Sequence, residues 1–569
     1  MNRSGLLSAA LAALALTGCP KPNTKYNQTP EGTTGSAQKA DPWDTAAKRI
    51  RKETDPTGVR AALGKLTEDL AARPDLPALP ALTPDAEKAL VSLARLGPED
   101  LEVVRPATFS GADAAYVAEC LYLRDAARAV DPVGLPPADR ARAGFAWVCR
   151  QVYVRPWVTD DGRFVPAVPS VYVLRRGWGT VLERATVALA LFRQLGLDAA
   201  LVGPPDAADR PAGFMPPWAD QKSELSGPFW AVAVKADADV LLFDPAGGRP
   251  FPGTLAQVKA NPDLLKPWAD DKAAPWKVPA DVVKQATLYQ AVPLPALAPR
   301  MAALEEKTKA DLGAVLAVDL KAQRDRLAAA PGAGEVKAWN PANDGLAYPR
   351  VLESFLPAED GGNDRRPPGQ RLLDMYQGSL FPRQAFAGPD VLPRELTAQP
   401  ARDRLVFTAA GAYGAAFLEP PTPREKMQRG QHTDAAVFLS GRQDAFTRGQ
   451  EQVRNATPEQ IEAWVKTAND LYRNLRQAEF PDPNQLRPNP PTDPAVAAAR
   501  AAVEEFWKTT AAVAQAIMGR ATARQGLAEA SYLLALTKHE EAERQQLRAD
   551  RAAPADAPRV KAAAANAWA

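Results

Sequence analysis

The sequence predicts an α+β protein whose core is one amphipathic helix and an antiparallel sheet. Apolar side chains between residues 182 and 195 recur at intervals of three and four, which places them on one face of a helix. Short apolar, β-prone segments follow at 197–203, 230–234 and 240–243, and the polar residues 235–239 supply a turn between the last two. The local pattern is therefore a helix followed by an antiparallel hairpin.

The rest of the chain predicts helices on both sides of this core. Gly196 follows the core helix where a left-handed residue is expected. Thr83 with Pro84 and Glu87 forms a helix start, and proline-rich connectors divide the apolar segments rather than interrupting them. We expect helices at 44–70, 83–96, 112–130, 297–330 (one long or broken), 457–477, 494–520 and 521–551, irregular structure at 340–367, and short helices with loops at 369–453.

The stretch from Arg175 to Pro250 resembles the core of the transglutaminase-like (papain-like) superfamily. There, a Cys opens the helix, a His opens one strand and an Asp ends the next. The matching positions here are Val181, Phe229 (or Pro228) and Asp244. The resemblance implies a transglutaminase-like packing of the helix on the sheet.

The resemblance covers roughly residues 111–252. Within it, the segment Ala141–Trp157 looks like the helix that the superfamily places before its nucleophile. Glu183, Arg193 and Gly196 also fall in register with the superfamily pattern.

The side chains at the matching positions cannot perform the superfamily's chemistry. A cysteine nucleophile acts as a thiolate, whereas Val181 has no lone pair, and neither Phe229 nor Pro228 can move a proton. Asp244 therefore has no imidazole to orient. The chain has two histidines and three cysteines, and no Cys-His pair has the family spacing. We expect no catalytic residues, and the sequence predicts a pseudoenzyme.

Two functions remain open at this stage. The first is a non-catalytic interaction module that binds a protein or peptide through the degenerate core. The second is a hydrolase or acyl-transferase with a relocated site that uses Asp244 and Glu183, although Glu183 could simply pair with Arg184 or Arg193. The aromatic residues of this region would form either a binding platform or core and rim packing: Trp157, Trp178, Trp218, Trp230, Tyr153 and Tyr172.

The first nineteen residues resemble a bacterial lipoprotein signal peptide. Arg3 supplies a positive start, residues 6–16 are apolar but too short to span a bilayer, and Leu-Thr-Gly-Cys ends at Cys19. In that family the cysteine is acylated and becomes the first residue of the mature protein. We therefore expect a membrane partner through a lipid on Cys19 and a place in the cell envelope, at the outer membrane or the periplasmic face. The alternatives are an ordinary cleaved signal peptide and a start with no targeting role.

These features together divide the chain. Residues 20–43 are polar and proline-containing, as in a flexible tether between lipid and protein. We expect a signal peptide at 1–19, the tether at 20–43, a helical segment at 44–110, a transglutaminase-like domain at 111–285, a helical or irregular region at 286–455, and a helical region at 456–569, giving a largely all-α C-terminal half.

Charge and ligand-forming residues predict neither nucleic acid, nor a metal, nor any other cofactor. The chain has 69 basic and 67 acidic residues, which gives no basic footprint for nucleic acid. His539 sits among glutamates on a polar helix face, and His432 is in a loop without partner spacing. The loop 360–364 lacks the ligand spacing of a calcium site. Cys120 and Cys149 either form a disulfide or remain buried thiols.

Overall fold

The computed structural model describes most of the chain after the predicted tether. The described residues are 41–51, 56–154, 169–209, 228–271, 276–340, 423–453 and 527–568 without 529, with three isolated positions at 463, 466 and 470. Residues from Pro42 on form one compact unit. In the described part, no helix is both long enough and apolar enough to span a membrane. The predictions for Cys19, tether residues 20–40, Trp157, Trp218, loop 360–364 and the helix at 494–520 lie outside the described residues, as does the helix at 457–477 apart from the three isolated positions, which are helical. The tether ends earlier than predicted, because Pro42 and Trp43 are buried in the first helix.

A helical layer precedes the sheet, as predicted. Thr83 caps its third helix, because the Thr83 hydroxyl accepts a hydrogen bond from the Ala86 amide at 3.3 Å. Arg300, from a later helix, is fully buried here and pairs with Asp113 at 2.9 Å. The five helices are α1 (Pro42–Ile50), α2 (Pro56–Ala71), α3 (Pro84–Ala94), α4 (Pro98–Val104) and α5 (Gly111–Val130).

The next segment begins with the helix predicted at 141–157, which ends earlier than expected. It forms α6 (Pro137–Gln151), and the chain then turns into a two-residue strand, β1 (Tyr153–Val154). This strand pairs in parallel with β2 (Trp178–Gly179), which follows helix α7 (Ser170–Arg176). The β-branched and aromatic residues after position 151 favour this extended backbone.

The predicted helix and hairpin are confirmed. Helix α8 covers Val181–Gln194, and Gly196 has the left-handed φ of 71° that a helix stop requires. Six strands then form one mixed sheet in the order β6-β5-β4-β3-β7-β8, with every neighbouring pair antiparallel except β7 and β8. The strands are β3 (Ala199–Gly203), β4 (Ala231–Ala236), β5 (Asp239–Asp244), β6 (Arg249–Thr254), β7 (Thr287–Gln290) and β8 (Val336–Ala338).

Both faces of this sheet are buried, because side chains alternate along each strand. Val232 and Val234 join the apolar cluster that contains helix α8, whereas Ala231 and Ala233 join a second cluster on the opposite face. That opposite face is covered by short helices, including α9 (Leu255–Ala260), α10 (Lys266–Ala269) and α11 (Ala280–Lys284). A later helix, α13 (Leu320–Ala328), also packs there.

The sheet extends beyond residue 285. The sequence predicts a helical or irregular region at 286–455, yet β7 and β8 lie within it and pair with the sheet. The predicted helix at 297–330 is the broken alternative, with α12 (Pro299–Leu312) and α13 (Leu320–Ala328) separated at Gly313, whose φ is 57°. Short strands of three or four residues have too little periodicity to be found from sequence.

The described C-terminal part is helical, although its helix at His432–Val453, with 22 residues, is longer than the short helices predicted at 369–453. It contains α14 (Pro423–Gln428), α15 (His432–Val453), helix α16 at residues 530–550, and α17 (Ala557–Trp568). Cys120 and Cys149 are both free thiols. They pack in different apolar clusters, so the structure gives the buried-thiol alternative rather than the disulfide.

Candidate functional site

The start of helix α8 is closed by its own capping residues. Val181, the first residue of the helix, is 1% exposed. Before it, the Thr180 hydroxyl accepts from the Glu183 amide at 3.1 Å, and the Glu183 carboxylate accepts from the Thr180 amide at 2.8 Å. This reciprocal pair is a capping box. Glu183 is therefore committed to holding the helix terminus, and it is buried.

Phe229 belongs to the hydrophobic core. It is 5% exposed, and its ring packs edge-on against two other rings. The distance between ring centroids is 5.4 Å to Tyr289 and 4.8 Å to Trp339. Tyr289 lies on β7 and Trp339 follows β8, so the Phe229 ring packs towards the edge of the sheet formed by β7 and β8. Asp244 ends β5, which lies on the other side of β4. The structure thus directs the Phe229 ring away from Asp244, and Pro228 beside it is buried as well.

Asp244 organises the turn between β5 and β6. Its Oδ1 accepts from the Ala246 amide at 3.0 Å and the Gly247 amide at 2.9 Å. Its Oδ2 accepts from Arg249 Nε at 3.3 Å. Burial raises the pKa of Asp244 above its ordinary value, while the Gly247 amide and the Arg249 charge oppose that rise. All these partners lie within five residues of Asp244, as in a turn-forming aspartate.

Arg184 joins helix α8 to this turn. It lies one helical turn after Val181, is 6% exposed, and its Nη1 donates to the Pro245 carbonyl at 2.9 Å. Its Nε donates to the Val152 carbonyl at 2.9 Å. The guanidinium thus ties three chain segments together through backbone oxygens. The structure brings Val181 and Asp244 into one region through Arg184; Val181 has no nucleophilic group, and the Asp244 carboxylate is bound within its own turn.

Cys149 is a thiol close to the same turn. A Cβ added to Gly248 would lie 3.5 Å from its Sγ, and Gly248 itself has a left-handed φ of 69°. Burial raises the pKa of Cys149 to about 11, against a smaller opposite effect of the Arg184 charge. A thiol with this pKa is almost wholly protonated near neutral pH, so Cys149 is a poor nucleophile.

Sequence reasoning missed the roles of Arg184, Cys149 and Arg249. The sequence offers Arg184 only as a partner for Glu183, although an arginine among the apolar residues of a helix is a signal for a buried structural cation. Arg249 donates to Asp271 at 2.6 Å and its guanidinium lies 3.9 Å from the Trp268 ring. The local sequence predicts neither contact, because both depend on the fold of residues 255–271.

The aromatic residues divide between core and surface. Trp230 is 1% exposed and packs edge-on against Trp276 at 5.7 Å on the sheet face opposite helix α8. Tyr172 and Trp178 are half-buried. Tyr153 differs, because 71% of it is exposed although it pairs with Trp178 directly before helix α8. The described aromatics therefore include one exposed ring beside the region of Val181.

The two histidines lie on the C-terminal helices α15 and α16. His539 is 42% exposed and lies 3.4 Å from Glu543 on the same helix, in keeping with the predicted polar face. The prediction for His432 as an unpartnered loop residue is wrong: it begins helix α15, is 5% exposed, and binds Glu541 through Nδ1. Among the described residues, no group of three or more His, Cys, Asp or Glu side chains could hold a metal.

Comparisons with known proteins add no relative. The chain matches no family model, no curated protein and no solved structure.

Proposed function

We propose that this protein is a non-catalytic, lipid-anchored protein of the cell envelope, in which a degenerate transglutaminase-like domain serves as a protein- or peptide-interaction module. The observation that carries the proposal is the burial of Phe229 between Tyr289 and Trp339. At this position the superfamily has a base, and here a core aromatic stands in its place. A core ring cannot exchange protons with a substrate.

The geometry around Asp244 and Glu183 also supports a non-catalytic role. Each carboxylate accepts hydrogen bonds from backbone amides, Glu183 at a helix terminus and Asp244 in a turn, at 2.8–3.0 Å. The hydrolase or acyl-transferase alternative needs one of them to be available to a substrate. Cys149, with a pKa of about 11, does not supply the missing nucleophile.

Tyr153 supports a binding role for this side of the domain. Large exposed aromatics are common at protein interfaces, where they bury much area at little cost in side-chain entropy. Among the large hydrophobic residues of the described chain, Tyr153 and Val437 in helix α15 are the most exposed, each at 71%. It follows the Val152 carbonyl that Arg184 binds, so it is fixed to the start of helix α8.

A turnover assay tests the non-catalytic part. The chain from Asn23 to Ala569 is incubated with casein and a primary amine, and separately with dipeptides. We expect no product above a blank. Turnover that survives Cys120→Ser with Cys149→Ser and disappears in Asp244→Ala would favour the relocated-site alternative and overturn the proposal.

Photo-crosslinking tests the binding part in intact cells. A photoreactive phenylalanine analogue replaces Tyr153 in one strain and Leu264, another exposed apolar residue at 36%, in a matched control. We expect one discrete adduct from position 153 and none from position 264. Equal labelling at both positions, or no adduct at 153, would contradict a binding surface there.

Metabolic labelling tests the anchor. A palmitate analogue should label the wild type and leave Cys19→Ala unlabelled, because the acyl chains attach at this cysteine in the lipoprotein family. Two or more chains give stable anchoring, since each buried CH₂ contributes ~0.8 kcal/mol. Equal labelling of both proteins would refute the lipid assignment without bearing on the turnover result.

A further inference from the structure

The described C-terminal helices form a unit with an apolar cluster of their own. We call residues 423–453 together with 530–550 the C-terminal cap. Its cluster contains Met427, Ala435, Leu439, Leu533 and Leu536. Among the described residues, only cap residues build this cluster, and the three large clusters of the remaining chain are built without the cap. The cap therefore has an apolar interior separate from that of the core.

A buried glutamine of the cap forms hydrogen bonds to the core. Gln428 is fully buried, accepts from the Tyr122 hydroxyl, and donates through Nε2 to Gln151 and to the Leu174 carbonyl, each at 3.1 Å. These three core partners lie on helices α5, α6 and α7 respectively. One amide side chain thus forms hydrogen bonds to all three helices.

Ion pairs surround this amide. Arg429 of the cap contacts Asp125 of α5 at 2.7 Å. From the core, Arg150 of α6 contacts Glu540 at 2.8 Å and Glu543 at 2.7 Å. Polar interfaces of this kind resemble transient protein contacts, because parting exchanges protein hydrogen bonds for water at a small net cost.

A cleft of about 360 Å³ lies at the same junction. Its walls come from the core residues Val130, Trp147 and Arg150 on one side and from Glu543 and Leu547 of the cap on the other. The interior of a single domain is close-packed, with few voids of this size. A cleft of this size has room for water beside the ion pairs of Arg150, which lowers the cost of separating these charged groups.

We propose that the C-terminal cap docks reversibly on helices α5, α6 and α7, and that the protein has an open form exposing the surface around Tyr122, Trp147 and Gln151. The cap is then an intramolecular lid on this surface. This inference is independent of the proposed function, because it concerns neither the lipid anchor nor the residues around Val181.

Hydrogen–deuterium exchange on the full-length chain tests the lid. Gln428→Leu with Glu540→Gln removes the central amide and one interfacial charge at nearly constant volume. Lys321→Met is the matched control, because it removes an exposed ion pair with Asp325 at 2.6 Å outside the cap. A further variant, Leu439→Ala, weakens the cap's own cluster.

We expect the double variant to exchange at least about tenfold faster in peptides from α5, α6, α7 and the cap, the factor for losing roughly one charge-assisted hydrogen bond. Peptides from β3, β4 and β5 should keep the wild-type rate, and the control should resemble the wild type throughout. Leu439→Ala should accelerate the same core helices. Equal acceleration in the sheet would show that cap and core open as one unit, and unchanged rates everywhere would show that these contacts do not hold the cap. Either result would overturn the proposal.

Discussion

The substitution Asp244→Ala tests whether this residue is structural. It removes the acceptor for two backbone amides, of Ala246 and Gly247, and the partner of Arg249. The site is 3% exposed, so water reaches the abandoned donors poorly. Unsatisfied buried donors cost ~1–3 kcal/mol, and we expect a loss of that size because the turn can relax in part.

The melting temperature of the chain from Asn23 to Ala569 measures this loss. For a domain of roughly 150–250 residues, such as the predicted domain at 111–285, ~1 kcal/mol shifts the midpoint by roughly 2–4 °C, so we expect a decrease of roughly 2–12 °C. Asp244→Asn is the matched control, because its amide oxygen can still accept both backbone protons. It should lose less stability than Asp244→Ala, since it gives up mainly the charge opposite Arg249.

The pH dependence of the same pair gives a second check. Burial raises the pKa of Asp244, so between its ordinary value of 3.8 and that raised value the folded chain binds more protons than the unfolded chain. The stability of the wild type relative to Asp244→Asn should therefore fall as pH rises through this window and stay level above it. An unchanged melting curve for Asp244→Ala at neutral pH would refute the structural role and point to a ligand.

Three further experiments, one chemical modification and two sets of substitutions, test other parts of the structure. Cys149 in the folded chain should react with iodoacetamide at pH 8 roughly 100-fold more slowly than an exposed thiol, because a pKa of about 11 leaves only ~0.1% thiolate; denaturant should abolish the difference. Arg300→Met should cost ~3–5 kcal/mol in urea unfolding, because it strands the buried Asp113 carboxylate, and adding Asp113→Asn should recover part of the loss; a loss under ~1 kcal/mol would contradict a buried pair. Val181→Cys with Phe229→His should show no turnover of casein and amine, because position 229 faces Tyr289 and Trp339; measurable product would mean that the two positions meet.

Local periodicity was enough to predict helix α8, its glycine stop and the hairpin that follows. Each depends on residues within one or two helical turns, such as the Thr180 cap and Gly196 with its φ of 71°. The carbon side chains of Val181 and Phe229 are likewise a property of the sequence, because no fold can give them a lone pair.

Tertiary structure alone decided what surrounds these positions. Strands β7 and β8 are too short to have a recognisable period. They belong to the sheet because β7 pairs with β3 and β8 pairs with β7. The link from Arg184 to the Pro245 carbonyl spans 61 positions, and the bond from Gln428 to Gln151 spans 277. Contacts over such distances depend on how whole elements pack, and pairing rules for neighbouring residues contain no information about that packing.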